Sequence, residues 1–176
     1  GNKFHLNFNS KNINKVGYFN LEIDYINTPL YLDNKKKLHC IVYAMHLIKY
    51  LTVENQDNKN IFYLLEDLFK LLNNDDWLKN FTLWELQFFK NIGYNINFVD
   101  YASKQNINGN EAFVVRSSNS KRIVPTFLID KNVLPLNENE IINALKLVGD
   151  FLDKTILKPN NINFPISRMD FLNQLK

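Results

Sequence analysis

The chain has 176 residues, of which 45% are hydrophobic, so it is a folding sequence that can bury one good core and not a disordered tail. Its net charge of +3 is mildly basic, which is compatible with nucleic-acid binding but is common among proteins that bind none. The single cysteine, Cys40, excludes an internal disulfide and a thiolate metal cage, and no apolar run is long enough to predict a transmembrane helix. The first residues lack the layout of a signal peptide, so we expect a cytoplasmic protein. A first residue other than Met suggests that the sequence begins inside a longer chain.

Two segments of alternating polar and apolar residues open the chain and predict a β-hairpin. They cover residues 3–8 and 18–26, and the polar residues 9–15 suit the loop between them. Because two strands do not form a stable sheet alone, these strands need partners, either further strands upstream or the helical body.

Three helical patterns follow. Residues 38–48 and 61–72 place an apolar side chain at every third or fourth position, which is typical of amphipathic helices. The third apolar stripe ends at Gly93, a residue that favours a helix end. Its members are Trp77, Phe81, Trp84, Phe88 and Ile92. Such a bulky stripe is more typical of a core than of a binding groove, and three helices with short connections predict an antiparallel bundle.

The remaining sequence combines short strands with helices. Residues 112–116 and 122–129 flank a polar tip at 117–120 and predict a second hairpin. Asn137 with Glu140 three residues later predicts a helix N-cap, and Pro165 opens a last short helix. The expected fold class is α+β and mainly α: a helical bundle domain with a small β-hairpin insertion at about residues 95–135.

No pattern in the sequence indicates catalysis or metal binding. The three histidines, His5, His39 and His46, have no Asp, Glu or Cys beside them at ligand spacing. The sequence also contains neither a nucleophile elbow nor a glycine loop of the kind that cradles phosphate. We therefore expect no enzyme activity, no metal and no cofactor.

Basic residues are the candidate binding groups, and the first cluster is a run of three lysines. Lys35, Lys36 and Lys37 begin the first predicted helix, where positive charge interacts unfavourably with the helix dipole. Selection for a binding function explains this placement. A solvated helix start explains it equally well.

The second cluster contains two of the three arginines in the chain. Arg116 and Arg122, with Lys121, bracket the tip of the second predicted hairpin. Since arginine binds phosphate or carboxylate through two parallel hydrogen bonds, this hairpin is a candidate anion site. The third arginine, Arg168, lies in the first turn of the last helix, where a structural ion pair is its commoner role.

Four segments, in order along nearly the whole chain, resemble the RecO family of bacterial recombination mediators. Residues 84–94 resemble the family's Phe-Glu-Leu…Leu-Gly-Tyr helix, and residues 113–124 its Tyr-Val-Ser-Pro-Lys-x-Gly-Arg-Ala-Val hairpin. Residues 163–172 resemble its Leu-Pro-(small)-(small)-Arg-x-x-Leu tail, and residues 16–19 are similar to the end of its N-terminal OB barrel.

This resemblance implies a domain organisation and a function. Residues 1–32 are expected to be the C-terminal part of an OB-fold, and residues 33–176 the helical domain with its β insertion. The implied protein is a non-enzymatic mediator of DNA repair and homologous recombination, located at the nucleoid. It binds single- and double-stranded DNA, promotes strand annealing, and assists RecA loading with RecR by engaging the acidic, Phe-ended tail of single-strand binding protein. The residues expected to contact DNA or that tail are Lys35, Lys36, Lys37, Arg116, Lys121, Arg122 and Arg168.

Three departures from the family pattern qualify the resemblance. Tyr101 and Lys104 occupy the positions of a Cys-x-x-Cys in zinc-holding members, so zinc is not expected. Leu83 stands where the family usually has an arginine, and the first strands of the OB barrel are absent from this sequence. The alternative function is that of a helical scaffold or adaptor that binds no nucleic acid.

Overall fold

A computed structural model describes residues 1–10, 12, 16–53, 56–107, 109–117 and 120–176. The chain divides into two compact units. The first comprises Gly1–Leu51 and Pro165–Lys176, and the second comprises Thr52–Phe164. Strands and helices occur together in this structure, in agreement with the expected α+β class.

The first unit begins with the predicted β-hairpin. Strands β1 (Lys3–Asn9) and β2 (Tyr18–Tyr25) pair in antiparallel fashion. Their register opposes three apolar pairs, which are Phe4 with Ile23, Leu6 with Leu21, and Phe8 with Phe19. Because directly paired residues share a face of the sheet, these side chains form one apolar face, and they are 44% to 63% exposed. Residues 11 and 13–15 of the predicted loop lie outside the described residues.

Two helices complete the first unit, and both agree with the predicted helical patterns. The prediction that the first three helices form one antiparallel bundle is wrong, because the first of them packs with the last helix of the chain in this unit, and the next two belong to the second unit. Helix α1 (Lys35–Leu51) packs against helix α6 (Ile166–Gln174), where the rings of Tyr43 and Phe171 stack with centroids 6.1 Å apart. Asn34 begins α1, since its Oδ1 accepts a hydrogen bond from the Lys37 backbone N–H at 3.1 Å. A 3₁₀ turn at Thr28–Tyr31 precedes α1.

The second unit is organised around the aromatic helix. Helices α2 (Lys59–Leu71) and α3 (Trp77–Asn91) pack together, and Trp84 Nε1 donates a hydrogen bond to the Leu64 carbonyl at 2.7 Å. Trp84 stacks between Phe81 and Phe88, with centroids 5.6 and 5.8 Å away, and all three are buried. The predicted core position is thus confirmed for the middle of the stripe, whereas its two ends, Trp77 and Ile92, are half-buried.

Gly93 ends α3 as the sequence predicts. Its φ of 96° lies in the left-handed region, which favours glycine. The Tyr94 N–H then bonds to the Phe89 carbonyl and the Gly93 N–H to the Lys90 carbonyl, which together form a Schellman motif.

A three-stranded antiparallel sheet follows the short helix α4 (Phe98–Tyr101). Its strands are β3 (Ser103–Ile107), β4 (Asn110–Ser117) and β5 (Ser120–Val124), in that order across the sheet. The predicted β4–β5 hairpin is confirmed, although its tip residues 118 and 119 lie outside the described residues. The predicted extension of the last strand to residue 129 is wrong. Strand β5 ends before Pro125, which has no N–H to donate to a ladder, and a 3₁₀ turn at Thr126–Leu128 follows.

Helix α5 (Glu138–Leu152) closes the second unit and begins at the predicted cap. Asn137 Oδ1 accepts a hydrogen bond from the Glu140 N–H at 3.0 Å, and the Glu140 carboxylate accepts one from the Leu136 N–H at 2.7 Å. The helix continues as a π-helical turn at Asp153–Leu157 and a 3₁₀ turn at Lys158–Asn160. In the part of the chain that the structure describes, no helix has the length and apolarity needed to cross a membrane.

Candidate functional site

A cleft of about 310 Å³ lies in the second unit, between the β4–β5 hairpin and helix α5. It combines apolar side chains with charged ones, which is the usual composition of a small ligand site. The lining residues are Val115, Arg116, Arg122, Leu147, Asp150, Phe151, Lys154 and Thr155.

Local structure explains why these residues meet. Val115 and Arg122 are direct partners across the β4–β5 ladder, so their side chains lie on the same face of the sheet. On the other wall, Leu147 and Phe151 are four residues apart and therefore occupy successive turns of one helix face. Val115 and Leu147 are both buried. The cleft consequently has an apolar floor with charged groups on its walls.

The charges on the cleft walls are mostly positive. Arg116, Arg122 and Lys154 contribute cations, and Asp150 contributes a carboxylate. The Arg122 guanidinium forms a charge-assisted hydrogen bond with Asp150, and the two side chains are 45% and 44% exposed. Arg116 is exposed and lies opposite Lys121 in the ladder, so two cations are adjacent at the hairpin edge.

An aromatic surface adjoins the cleft. The ring of Phe151 contacts buried Phe98 with centroids 5.2 Å apart, and it contacts Tyr101 at 5.9 Å. Tyr101 is 59% exposed, so an accessible aromatic ring lies beside the cationic walls. Lys104 lies over the ring of Phe113 at 5.6 Å, which is a cation–π contact on the same sheet.

The predicted lysine cluster belongs to the first unit. Lys35 is exposed at the start of α1, whereas Lys36 and Lys37 are half-buried. The helix start is capped by the Asn34 side chain, whose geometry does not depend on the lysine charges.

Arg168 lies in the core of the first unit. It is 2% exposed, its guanidinium donates a hydrogen bond to the Tyr43 hydroxyl, and its Cζ lies 5.0 Å from the centre of the Tyr43 ring. The neighbouring Ser167 Oγ is 2.7 Å from His46 Nδ1. Since a buried guanidinium is not available to DNA or to a peptide, we assign Arg168 to the core rather than to the binding surface.

The two positions that correspond to the family's Cys-x-x-Cys lie on separate elements. Tyr101 ends α4, and Lys104 lies on β3, where its ammonium pairs with Glu111 at 3.5 Å. Across the described ranges of the chain, no three His, Cys, Asp or Glu side chains converge on a point where a metal ion would bind. Leu83 lines a second and more polar cleft of about 250 Å³, together with Lys90 and Lys131.

Sequence reasoning did not identify the α5 wall of the cleft. Asp150, Phe151 and Lys154 lie about 30 residues from the hairpin, and no motif singles them out. One sequence feature could have indicated this wall. Asp150 and Lys154 are spaced i, i+4, as are Leu147 and Phe151, so a helical pattern places a charged pair beside an apolar pair on one surface.

Comparison with known proteins finds a matching family model and a similar protein. Residues 33–161 match the family model described as "Recombination protein O C terminal". The chain is also similar to the DNA repair protein RecO of Rhodospirillum centenum, with 20% identity over 191 aligned residues. That alignment covers 100% of this chain and 75% of the relative. No solved structure matches the chain significantly.

Proposed function

The chain belongs to the RecO family, whose name indicates DNA repair and recombination, and we propose from this premise that it is a recombination mediator. In this role it binds single- and double-stranded DNA and promotes the annealing of complementary strands. With RecR, it assists RecA loading by engaging the tail of single-strand binding protein. The observation that carries the proposal is the basic, partly apolar cleft within the matched residues.

DNA binding is proposed to use exposed cations outside the apolar part of the cleft. Arg116 and Lys121 are adjacent and exposed at the hairpin edge, and Lys35 is exposed at the start of α1. We include Lys36 and Lys37 as neighbours of Lys35. Cations that neutralise phosphates release condensed counterions, which favours binding entropically and makes it depend steeply on salt.

The cleft itself is proposed to take the acidic, Phe-ended tail of single-strand binding protein. Its volume of about 310 Å³ suits one or two side chains rather than a duplex. The floor formed by Val115, Leu147 and Phe151 would receive an apolar terminal side chain. Arg122 would then meet a carboxylate, for which arginine has a matching planar geometry, and Arg116 would offer a second cation from the hairpin edge.

Salt-dependent binding of fluorescent single-stranded DNA tests the DNA part of the proposal. We expect affinity to fall by at least about tenfold between 50 and 200 mM salt if three or more phosphates are contacted. The variant Arg116→Ala/Lys121→Ala should weaken binding and reduce the salt slope. A matched variant, Lys49→Ala/Lys146→Ala, removes two exposed lysines from outside the cleft and should have a smaller effect.

Two outcomes would contradict the DNA proposal. Equal losses in the two double variants would mean that only net charge matters and that the hairpin is not a site. No binding at 50 mM salt, with a folded protein, would favour the alternative of a helical adaptor that binds no nucleic acid.

We also propose that β1 and β2 belong to an OB-fold, as the family resemblance implies for residues 1–32. The proposal is supported by the one-sided hairpin, whose apolar face is suited to packing within a barrel. The β1 and β2 amides are then expected to exchange slowly with deuterium, because a packed barrel protects them. Exchange at the rate of an unfolded peptide would refute this assignment.

A further inference from the structure

One of the side chains that line the cleft is a carboxylate, that of Asp150. The Asp150 carboxylate pairs with Nη1 of the Arg122 guanidinium, and both side chains line the cleft. A ligand carboxylate that binds Arg122 through Nη1 must therefore compete with Asp150 for that nitrogen. The two partners lie on different elements, since Arg122 is on β5 and Asp150 is on α5.

Asp150 differs from the neighbouring carboxylate of Asp153. Asp153 pairs with Lys158 at 2.5 Å and does not line the cleft. Among the described residues that line the cleft, Asp150 is the one carboxylate. It therefore opposes an acidic ligand both by occupying Arg122 and by direct repulsion at short range.

The exposure of the pair determines how strong this competition is. Both side chains are nearly half exposed, and ion pairs of this kind contribute little net free energy because water screens them. A ligand can therefore displace Asp150 at small cost, so the pair adjusts affinity by a modest factor and does not close the site.

We propose that Asp150 is an internal competitor that holds Arg122 until the carboxylate of a bound acidic peptide replaces it. This inference rests on the proposed function of the cleft as a peptide site. Its consequence is a modest selectivity: replacing Asp150 by a ligand carboxylate changes the free energy little, so a ligand gains most when it also buries an apolar group in the cleft.

The test measures binding of a fluorescein-labelled synthetic peptide of Asp residues ending in Phe. Asp150→Asn keeps the shape of the side chain, removes its charge, and should tighten binding by about two- to fivefold. Asp153→Asn is the matched control, because it removes a nearby negative charge without touching Arg122. Asp150→Ser is a second variant of the same site, and thermal unfolding reports whether each variant is folded.

The role of Arg122 is tested by a double-mutant cycle. In an Arg122→Ala background, the advantage of Asp150→Asn over Asp153→Asn should shrink, because Asp150 no longer withholds a guanidinium from the ligand. A peptide with an amidated C-terminus distinguishes the terminal carboxylate from the Asp side chains as the competing group.

Side-chain NMR reports directly on the environment of the Arg122 guanidinium. The spectrum is simple because the chain has three arginines, Arg116, Arg122 and Arg168. The Arg122 Nε–H signal, assigned through Arg122→Ala, should move on Asp150→Asn substitution and again when peptide is added. Two results would overturn the inference but leave the peptide site intact. In the first, the wild type binds the peptide and the Asp150 and Asp153 variants bind it with equal affinity. In the second, the wild type binds the peptide but the Arg122 signal does not move. No peptide binding by the wild type or by either Asp150 variant would overturn the peptide site together with the inference.

Discussion

The contact between Arg168 and Tyr43 gives the sharpest test of how the first unit is stabilised. Tyr43→Phe removes only the hydroxyl that accepts the Arg168 hydrogen bond, and it leaves the ring in place for the cation–π contact and for stacking on Phe171. A hydrogen bond to a charged group contributes about 1.5–3 kcal/mol. Because Arg168 is 2% exposed, water cannot readily replace the lost acceptor. We therefore expect the free energy of unfolding to fall by about 2 kcal/mol, within the range for hydrogen bonds to charged groups.

Urea unfolding followed by circular dichroism measures this loss, and a thermal scan should show a decrease in Tm of about 4–8 °C for a chain of this length. Tyr50→Phe is the control, since Tyr50 lies on the same helix but is 49% exposed, and its effect should stay below about 0.5 kcal/mol. A loss for Tyr43→Phe no larger than the control would refute the energetic role of the hydroxyl. Arg168→Lys separates the two roles of the arginine: a core role predicts lower stability, whereas a binding role predicts weaker DNA binding at unchanged stability.

Three further predictions concern helix ends and one surface pair. Gly93→Ala should destabilise the protein by about 1 kcal/mol in urea, because an alanine is strained at φ 96° although its Cβ would meet no other atom within 4 Å. Asn137→Ala should cost about 1 kcal/mol through loss of the bond to the Glu140 N–H, and Asn137→Ser should restore most of it; equal stability of the two would argue against the cap. The pKa of Lys70 is raised by its hydrogen bond and charge interaction with Asp67. The stabilisation from that pair is present below the unfolded pKa of lysine and is lost as pH rises through the folded value, so an NMR titration of the lysine should show a lower pKa in Asp67→Asn.

Local signals in the sequence determined the helix boundaries well. Asn137 caps the start of α5 by bonding to a residue three positions away, and Gly93 ends α3 through its own backbone conformation. Both effects are local, so the sequence alone predicts them. The end of β5 was also encoded locally, in Pro125, but the apolar run beyond it favoured a longer strand. Strand β3 carried no such signal, because Ser103–Ile107 is mostly polar and gains its place by pairing with β4.

The sequence predicted only the hairpin wall of the candidate site. Composition and spacing selected Arg116 and Arg122, since a chain with three arginines places two of them in one hairpin. The opposite wall depended on packing, and Asp150 reaches Arg122 across a separation of 28 residues. No periodic pattern identifies which helix will cover a given hairpin, and hence which charge will oppose Arg122.

By itself, the sequence determined the five longer helices, the two hairpins, the caps, the aromatic stripe and the family resemblance, because these depend on neighbouring residues and on motif order. Only the tertiary structure decided which charges are available. Arg168 and Arg122 have the same side chain, yet one is enclosed against Tyr43, which is 125 residues away, and the other lies half exposed in a cleft. The physical reason is that the availability of a charge depends on its solvent exposure and on the partners that distant segments bring to it.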